Sequence, residues 1–357
     1  MIAGATLRSY VVLVMADDLC RFEHLVTTPL PENPAPPIPL KIDWRPIASG
    51  TAQYAPLPSH PPLKMLLIAC VLFLLTLATC LVAGTQFAVA YARNQAVSID
   101  EFVRAFTLFY KHPVGLAAGL PFALTLLTIL LAHELGHFFA CRYHHIRASY
   151  PFFIPFPSFI GTFGAFILIR SPIRTNRALF DVGASGPLVG FVFAVPALVY
   201  GVLNAKFVPG LADAAHAEIV FGTPVLLRLL EVVFHPGIAS KALLLPPIGR
   251  AAWVGLFATS LNLLPAGQLD GGHILRSLSP RAHRILSVVL PFFLVSLGYF
   301  ADWPGWYVWG VLLFGIRFLR VVPVYDPLPL NSNRKLGALL AFIVFVLSFM
   351  PAPVVNL

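Results

Sequence analysis

Charge is what this sequence has least of. Charged side chains make up 11% of its 357 residues and hydrophobic ones 58%, whereas an ordinary soluble domain is about one quarter charged. So few charges cannot cover a water-facing fold of this size, which excludes a soluble globular chain and leaves a polytopic integral membrane protein. Cysteine is scarce as well. Cys20, Cys70, Cys80 and Cys141 are too scattered for a disulfide framework or a thiolate zinc site. Cys70 and Cys80 fall in an apolar run and read as small packing residues, and Cys141 reads as inert. A cleavable signal is missing too, because the apolar stretch at 10–15 is short and Asp17 and Asp18 follow it. No internal repeat is evident. The formal charge of +9 belongs to a chain this apolar, so it reads as membrane topology and attraction to the lipid bilayer's anionic headgroups, with no nucleic-acid partner.

Along the chain, residues 1–62 read as a proline-rich, disordered cytoplasmic tail. Eleven prolines between Pro29 and Pro62 prevent regular helix and leave an extended linker. Residues 63–112 hold a first span, uncharged over 65–92, and an outer loop. Residues 113–277 form a core with spans at 113–132, 182–205 and 251–269. Residues 278–357 add three more, at 285–301, 304–319 and 336–351. The expected fold is therefore all-α, with about seven transmembrane helices. One uncharged stretch, 148–169, differs in kind. Pro151, Pro155 and Pro157, then Gly161 and Gly164, oppose a straight helix, and Thr162, Phe163, Phe166, Ile167 and Ile169 favour extended backbone. It reads as a re-entrant, hairpin-like loop, tolerable at membrane depth only where protein covers it or it lines a wet cavity. Residues 219–234 carry Arg228 and Glu231 at an i,i+3 spacing, so they read as a short helix at the outer interface.

Basic residues orient the spans. Arg142, Arg147, Arg170, Arg174, Arg177, Arg276, Arg281, Arg284, Arg317, Arg320, Arg334 and Lys335 follow or flank the same ends, and 206–220 has almost none. The positive-inside rule puts those ends in the cytoplasm, in what reads as the inner membrane of a bacterial cell. Span parity then returns 251–269 to that face only if 219–234 does not cross.

Two motifs end on that face. His133-Glu134-Leu135-Gly136-His137 puts two imidazoles one turn apart on one helix face, with Glu134 free to act on a metal-bound water. Ionisable residues inside an apolar span are expensive, so these three need a purpose. Five residues separate His137 from Arg142, which sets a metal on the order of 10 Å below the interface at helical rise. Two imidazoles do not complete a catalytic zinc site, which takes a third protein ligand and leaves a position for water. Seven carboxylates follow His137: Asp181, Asp213, Glu218, Glu231, Asp270, Asp302 and Asp326. Asp213, Glu218, Glu231 and Asp302 fall towards the outer side and Asp326 lies in a solvated loop. Asp181 is placed to cap the helix starting at 182. Asp270, in the Leu-Asp-Gly-Gly turn that follows Asn262, is the best third ligand, its glycines allowing a sharp turn. His144 and His145 read as interfacial and His273 as a neighbour of the site. Trp303, Trp306, Tyr307 and Trp309 read as outer-interface anchors.

HELGH followed by NLLPAGQLDGG, with the block at 161–191 between them, resembles the site-2 protease family of intramembrane zinc metalloproteases, most of all its plant plastid and cyanobacterial branch. The resemblance covers roughly residues 113–277. It implies one zinc ion held by His133, His137 and Asp270, with Glu134 as general base and acid. It also implies that Asn262 holds the substrate backbone and that the hairpin with Gly161 and Gly164 pairs with an unwound substrate. Single-pass membrane proteins would then be the substrates of regulated proteolysis within the bilayer. Two alternatives stay open: a membrane-embedded zinc protease that cuts other chains, and an inactive scaffold of the same fold. The PDZ and nucleotide-binding modules common among relatives are not present in this sequence.

Overall fold

A chain crossing hydrocarbon must satisfy its own backbone hydrogen bonds, and this one does so mainly by helix. The computed structural model describes residues 63–111, 113–209, 220–237, 243–316 and 328–355. The tail at 1–62, and with it Cys20, lies outside the described residues, as do Asp213, Glu218, Arg317, Arg320 and Asp326. In chain order the elements are α1 (Leu63–Arg93), α2 (Ile99–Lys111), a 3₁₀ turn (Pro113–Gly119), α3 (Leu120–Tyr143), β1 (Phe152–Pro155), β2 (Thr162–Phe166), α4 (Asn176–Leu203), β3 (Lys206–Phe207) and β4 (Val220–Phe221). Then come α5 (Val225–Phe234), β5 (Leu243–Leu244), α6 (Pro247–Asn262), α7 (Asp270–Leu278), α8 (Pro280–Phe300), α9 (Gly305–Ile316), α10 (Ser332–Ser348) and β6 (Val354–Val355).

Among the described residues, four helices are long and apolar enough to cross a membrane: Leu63–Arg93, Val114–Tyr143, Asn176–Leu203 and Pro280–Phe300. The other three expected spans correspond to shorter helices of 16, 12 and 17 residues, α6, α9 and α10. The fold is mostly helical, as expected, and among the described residues it also carries three two-stranded antiparallel ladders: β1–β2, β3–β5 and β4–β6. The first is the hairpin that the glycines and prolines of 148–169 predict. Phe152 pairs with Phe166 and Phe153 with Ala165, with an irregularity before Pro155 meets Thr162. At 219–234 the described helix, α5, has 10 residues. That is about 15 Å, half the hydrocarbon thickness.

Side-chain contacts sort the helix ends into two groups. At one end, Arg334 in the first turn of α10 bonds Asp181 near the start of α4, and His144 at the end of α3 bonds the same carboxylate. Met65 at the start of α1 joins them through Arg170. At the other end, the hydroxyl of Tyr91 donates to Asn204 O and Lys206 Nζ to Tyr91 O. The β3–β5 and β4–β6 ladders cap that same end. Arg170 and Arg334, two of the basic residues that the charge pattern groups together, are thus tied to the start of α1 and to the α3–α4 junction. Glu231 is buried and lies within electrostatic reach of Arg250, which also sits 4.5 Å over the Phe221 ring. Arg228, three residues earlier on the same helix, is exposed.

Close backbone contact holds the core. Glycines at 201 and 249 meet where α4 crosses α6, and Gly136 of α3 lies against the backbone of Ser185 and Gly186 in α4. Small residues at such crossings let helices approach without a hydrophobic drive from water. Cys80 and Cys141 are buried and Cys70 is exposed, and Trp306 is an interior residue donating to Pro351 O at 2.6 Å, not an interface anchor. In a background lacking native cysteines, single cysteines at 142 and 281 are expected to react with an impermeant thiol reagent from one face and a cysteine at 204 from the opposite face. Labelling of 281 and 204 from the same face would overturn this arrangement.

Candidate metal centre

The helix that carries His133 and His137 is apolar and unbroken from Leu120 to Tyr143, so the four-residue spacing brings the two rings together inside the fold. Their Nε2 atoms lie 3.1 Å apart. Asp270 Oδ2 lies 3.3 Å from each. Ligand bonds of about 2.0–2.1 Å in a tetrahedron put neighbouring donors about 3.3 Å apart, so this triangle fits one zinc ion. Both histidines are buried, and among the described residues this is the one cluster of such donors. The three residues expected to hold a metal are therefore brought together.

What aims these donors comes from α4. His137 Nδ1 donates to Val182 O at 2.7 Å. A carbonyl only accepts, so in the neutral ring the proton sits on Nδ1 and the lone pair of Nε2 faces the site. Pro187 lacks the amide that would pair with the carbonyl of Gly183, the residue after Val182. Glycines 186 and 190 leave room for the rings: a Cβ at 186 would collide with the imidazole of His137, and one at 190 would press on His133 at 3.1 Å.

Asp270 opens α7 after a seven-residue connection from Asn262, the last residue of α6. A Cβ at 271 or 272 would meet carbonyls of that connection, so both glycines are needed for α7 to nest on it. Two residues of α8 grip the same connection at Gly267, whose φ is +60°. Ser287 Oγ accepts from Gly267 N at 3.0 Å, and His283 Nε2 donates to Gly267 O at 3.0 Å. Neither was singled out by the sequence. The signal available was a His and a Ser four residues apart on an apolar helix next to the Asp270 motif.

Glu134 is buried, one residue round the helix from His133, and so stays outside the donor set. It is within electrostatic reach of His133, His137 and Asp270, and its carboxylate lies near the backbone of Ile167, just beyond β2. The Asn262 amide lies 3.3 Å from His133 Nε2. The two hairpin glycines separate. Gly161, at φ +85°, packs on the backbone of Thr79 and Cys80 in α1, and Thr79 Oγ1 donates to its carbonyl at 2.5 Å. Its close approach is to the chain's own helix. Gly164, at φ +105°, has open space beside it. Asp181 is not a cap, because α4 begins six residues earlier than expected and is capped by Thr175. His144 spends its Nε2 on Asp181 at 2.7 Å, and His273 packs against Gly183.

Gly186→Ala is expected to lower zinc affinity by about 10–100-fold, the usual effect of disturbing a ligand's supporting shell, with Asp270→Ala setting the floor. Metal retention during dialysis against a chelator measures it, and an alanine variant that holds zinc like the parent would refute the steric argument. His283→Leu is expected to weaken zinc binding over the same range, and His283→Gln, which keeps a donor near the position of Nε2, to recover part of it. Equal loss in the two variants would mean that the ring's volume matters and its hydrogen bond does not.

The family model of Peptidase family M50 matches residues 121–298, about half of the chain and all of the metal-site residues. A protein of Oryza sativa subsp. japonica named "Probable zinc metalloprotease EGY1, chloroplastic" is 33% identical over 162 residues, 44% of this chain and 28% of its own length. Two Arabidopsis thaliana proteins align over more of the chain. "Probable zinc metalloprotease EGY2, chloroplastic" is 28% identical over 263 residues, 68% of this chain and 46% of its own length. The EGY1 protein of that plant is 26% identical over 309 residues, 82% and 54% respectively. The chain thus spans about half, or less, of the length of these curated relatives. With the His-His-Asp triangle and its adjacent glutamate inside the matched residues, the chain belongs to peptidase family M50, the site-2 protease family.

Proposed function

We propose that this chain is an intramembrane zinc metalloprotease, hydrolysing a peptide bond within transmembrane segments of single-pass membrane proteins. The observation that carries the reading is the buried triangle of His133, His137 and Asp270 donors with Glu134 beside it. A zinc ion there would polarise a peptide carbonyl and make water nucleophilic near neutral pH. Glu134 takes the proton of the attacking water and delivers it to the leaving amine. The Asn262 amide, set at the edge of the donor triangle, donates to the oxygen on which negative charge develops.

Substrate must be extended before its carbonyl can react, because a transmembrane helix hides its amides in i to i+4 bonds. The hairpin supplies replacements. Leu168 O and Arg170 N bond the 147–149 segment, so by the two-residue alternation of a strand the backbone groups of Ala165 and Ile167 face the other edge. That edge is the one Glu134 touches at Ile167. A substrate strand added there would bond Ala165 and pass beside Glu134, with Gly164 leaving it room. In this reading the hairpin is re-entrant, covered by α1 on its Gly161 side, and the shorter helices α6, α9 and α10 complete seven crossings. The metal site opens towards the arginine-rich face. The bacterial inner membrane expected from the sequence has no support among the relatives, which are described as chloroplastic.

Glu134→Gln is expected to keep its zinc and to lose cleavage of a model transmembrane substrate by about 10²–10⁴-fold, the range of general acid–base catalysis. Turnover retained in that variant would sink the proposed role of Glu134. Ala165→Pro removes a free-edge amide and is expected to cut cleavage by about tenfold or more while sparing zinc. Substrates carrying a helix-breaking Gly or Pro should recover part of the loss. Normal cleavage by the Ala165→Pro enzyme would refute strand addition and leave the zinc chemistry standing.

A further inference from the structure

We propose that the arginine-rich end binds an anionic phospholipid. Its phosphate would sit in a basic cavity between the α3–β1 and β2–α4 connections, and one acyl chain would lie in the groove between α3 and α4. The cavity measures about 430 Å³ and is lined by His144, His145, Arg147, Ser171, Arg174 and Thr175, with no carboxylate among its lining residues. Its two walls are tied together: Arg147 N donates to Ser171 Oγ at 2.9 Å and Arg170 N to Arg147 O at 2.7 Å. The side chains of Arg147 and Arg174 are exposed, and neither has an ion-pair partner among the described residues. Asp181 stands near this cavity but is already neutralised. Arg334 holds it in a bidentate pair at 2.8 and 2.6 Å, and His144 takes the same carboxylate at 2.7 Å. What remains is unspent positive charge at the level of lipid headgroups, where guanidinium and phosphate pair readily.

The second half of the site is apolar. A groove of about 750 Å³ runs between α3 and α4 on a different side of α3 from the two histidines, lined by Leu131, Leu135, Phe139, Leu188, Val189 and Phe193 among others. Its lining on α3 extends from Thr128 to Tyr143, about 22 Å at helical rise, whereas one leaflet of hydrocarbon is about 15 Å deep. A single acyl chain therefore fits along it, against a wall that is mostly apolar. The two spaces adjoin at one ion pair, since His144 lines the cavity, Asp181 lines the groove, and their side chains are 2.7 Å apart. A free phosphate would use the cavity and leave the groove empty. A phospholipid uses both, and this continuity selects it. Thr175 caps α4 beside the cavity, so the positive end of that helix adds to the field.

The test uses the full chain in phosphatidylcholine nanodiscs with a minor fraction of phosphatidylglycerol, native mass spectrometry after release counting the lipid retained. The parent is expected to retain phosphatidylglycerol at least about tenfold over phosphatidylcholine, the scale of two interfacial arginines. Arg147→Gln combined with Arg174→Gln should abolish that preference. The paired lysine variants should keep part of it, and Arg281→Gln combined with Arg284→Gln, elsewhere on the same face, should leave it intact. Val189→Trp fills the groove and should also lower retention. The proposal is overturned if the cavity variants retain lipid like the parent, or if the control pair loses as much, which would mean surface charge alone. It is overturned as well if inorganic phosphate displaces the lipid at equal concentration, which would make the cavity a soluble-anion site. Zinc content reports the fold of each variant. If the glutamine pair fails that check, the lysine pair and Val189→Trp decide the question.

Discussion

An imidazole inside an apolar interior has no water to hold its second nitrogen, so His137 depends on a carbonyl from another helix. Val182 O reaches Nδ1 at 2.7 Å only because α3 and α4 touch backbone to backbone. Gly136 of α3 lies on the main chain of Ser185 and Gly186, while glycines 183, 186 and 190 of α4 leave room for His273, His137 and His133. The metal geometry follows from that crossing. Spread the two helices by the thickness of a methyl group and the tautomer-setting bond lengthens, the Nε2 lone pair swings, and the 3.3 Å spacing to Asp270 is lost. Interior packing transmits such shifts because it is dense and has few voids to absorb them.

The same logic extends to the other polar groups of the interior. A buried polar atom costs free energy unless it is bonded, and here the partners come from distant parts of the chain. Gly267 is held through His283 and Ser287 of α8, Asp181 through Arg334 of α10, and Glu231 lies within electrostatic reach of Arg250 of α6. The first two tie late helices, α8 and α10, to the metalloprotease core. The C-terminal helices, which carry no recognisable motif, thereby become part of the site's support. α8 fixes the connection that presents Asp270, and α10 locks the junction between α3 and α4 from its first turn.

Reading function from the sequence worked where the chemistry is local. The four-residue spacing of His133 and His137 is decided by helical geometry alone, and an apolar context makes a helix the only economical backbone. Asp270 followed from scarcity, since few carboxylates remain once the topology is drawn. The hairpin was legible because three prolines and two glycines oppose helix within one short stretch. What was not legible depends on contacts far apart in sequence. Asp181 read as a cap because Arg334, 153 residues later, is invisible from its surroundings. The nearness of Glu231 to Arg250 of α6 was likewise invisible from local spacing. Gly161 read as a place for substrate, although α1 occupies that position. The lengths of α6, α9 and α10 could not be judged from hydropathy either, since apolar sequence continues past the point where packing ends a helix.

The hairpin shows how one alternation serves two partners. Even-numbered residues beyond β2 spend their backbone groups on the 147–149 segment, which turns the odd-numbered ones outward. Ile167 faces Glu134, and in the proposed mechanism Ala165 gives its amide to substrate. The two amides are two residues apart, about 7 Å along a strand. A peptide bonded at Ala165 therefore passes Glu134 one repeat further on, with its backbone already extended. The residue that moves the proton and the edge that straightens the chain are set by the same strand. Register cannot slip without disturbing both, because a one-residue shift would turn the wrong amides towards Glu134. The bond from Thr79 to Gly161 resists such a shift by pinning the hairpin's turn to α1. A glycine that looks made for substrate thus acts on it at one remove, by holding still the strand that substrate would join.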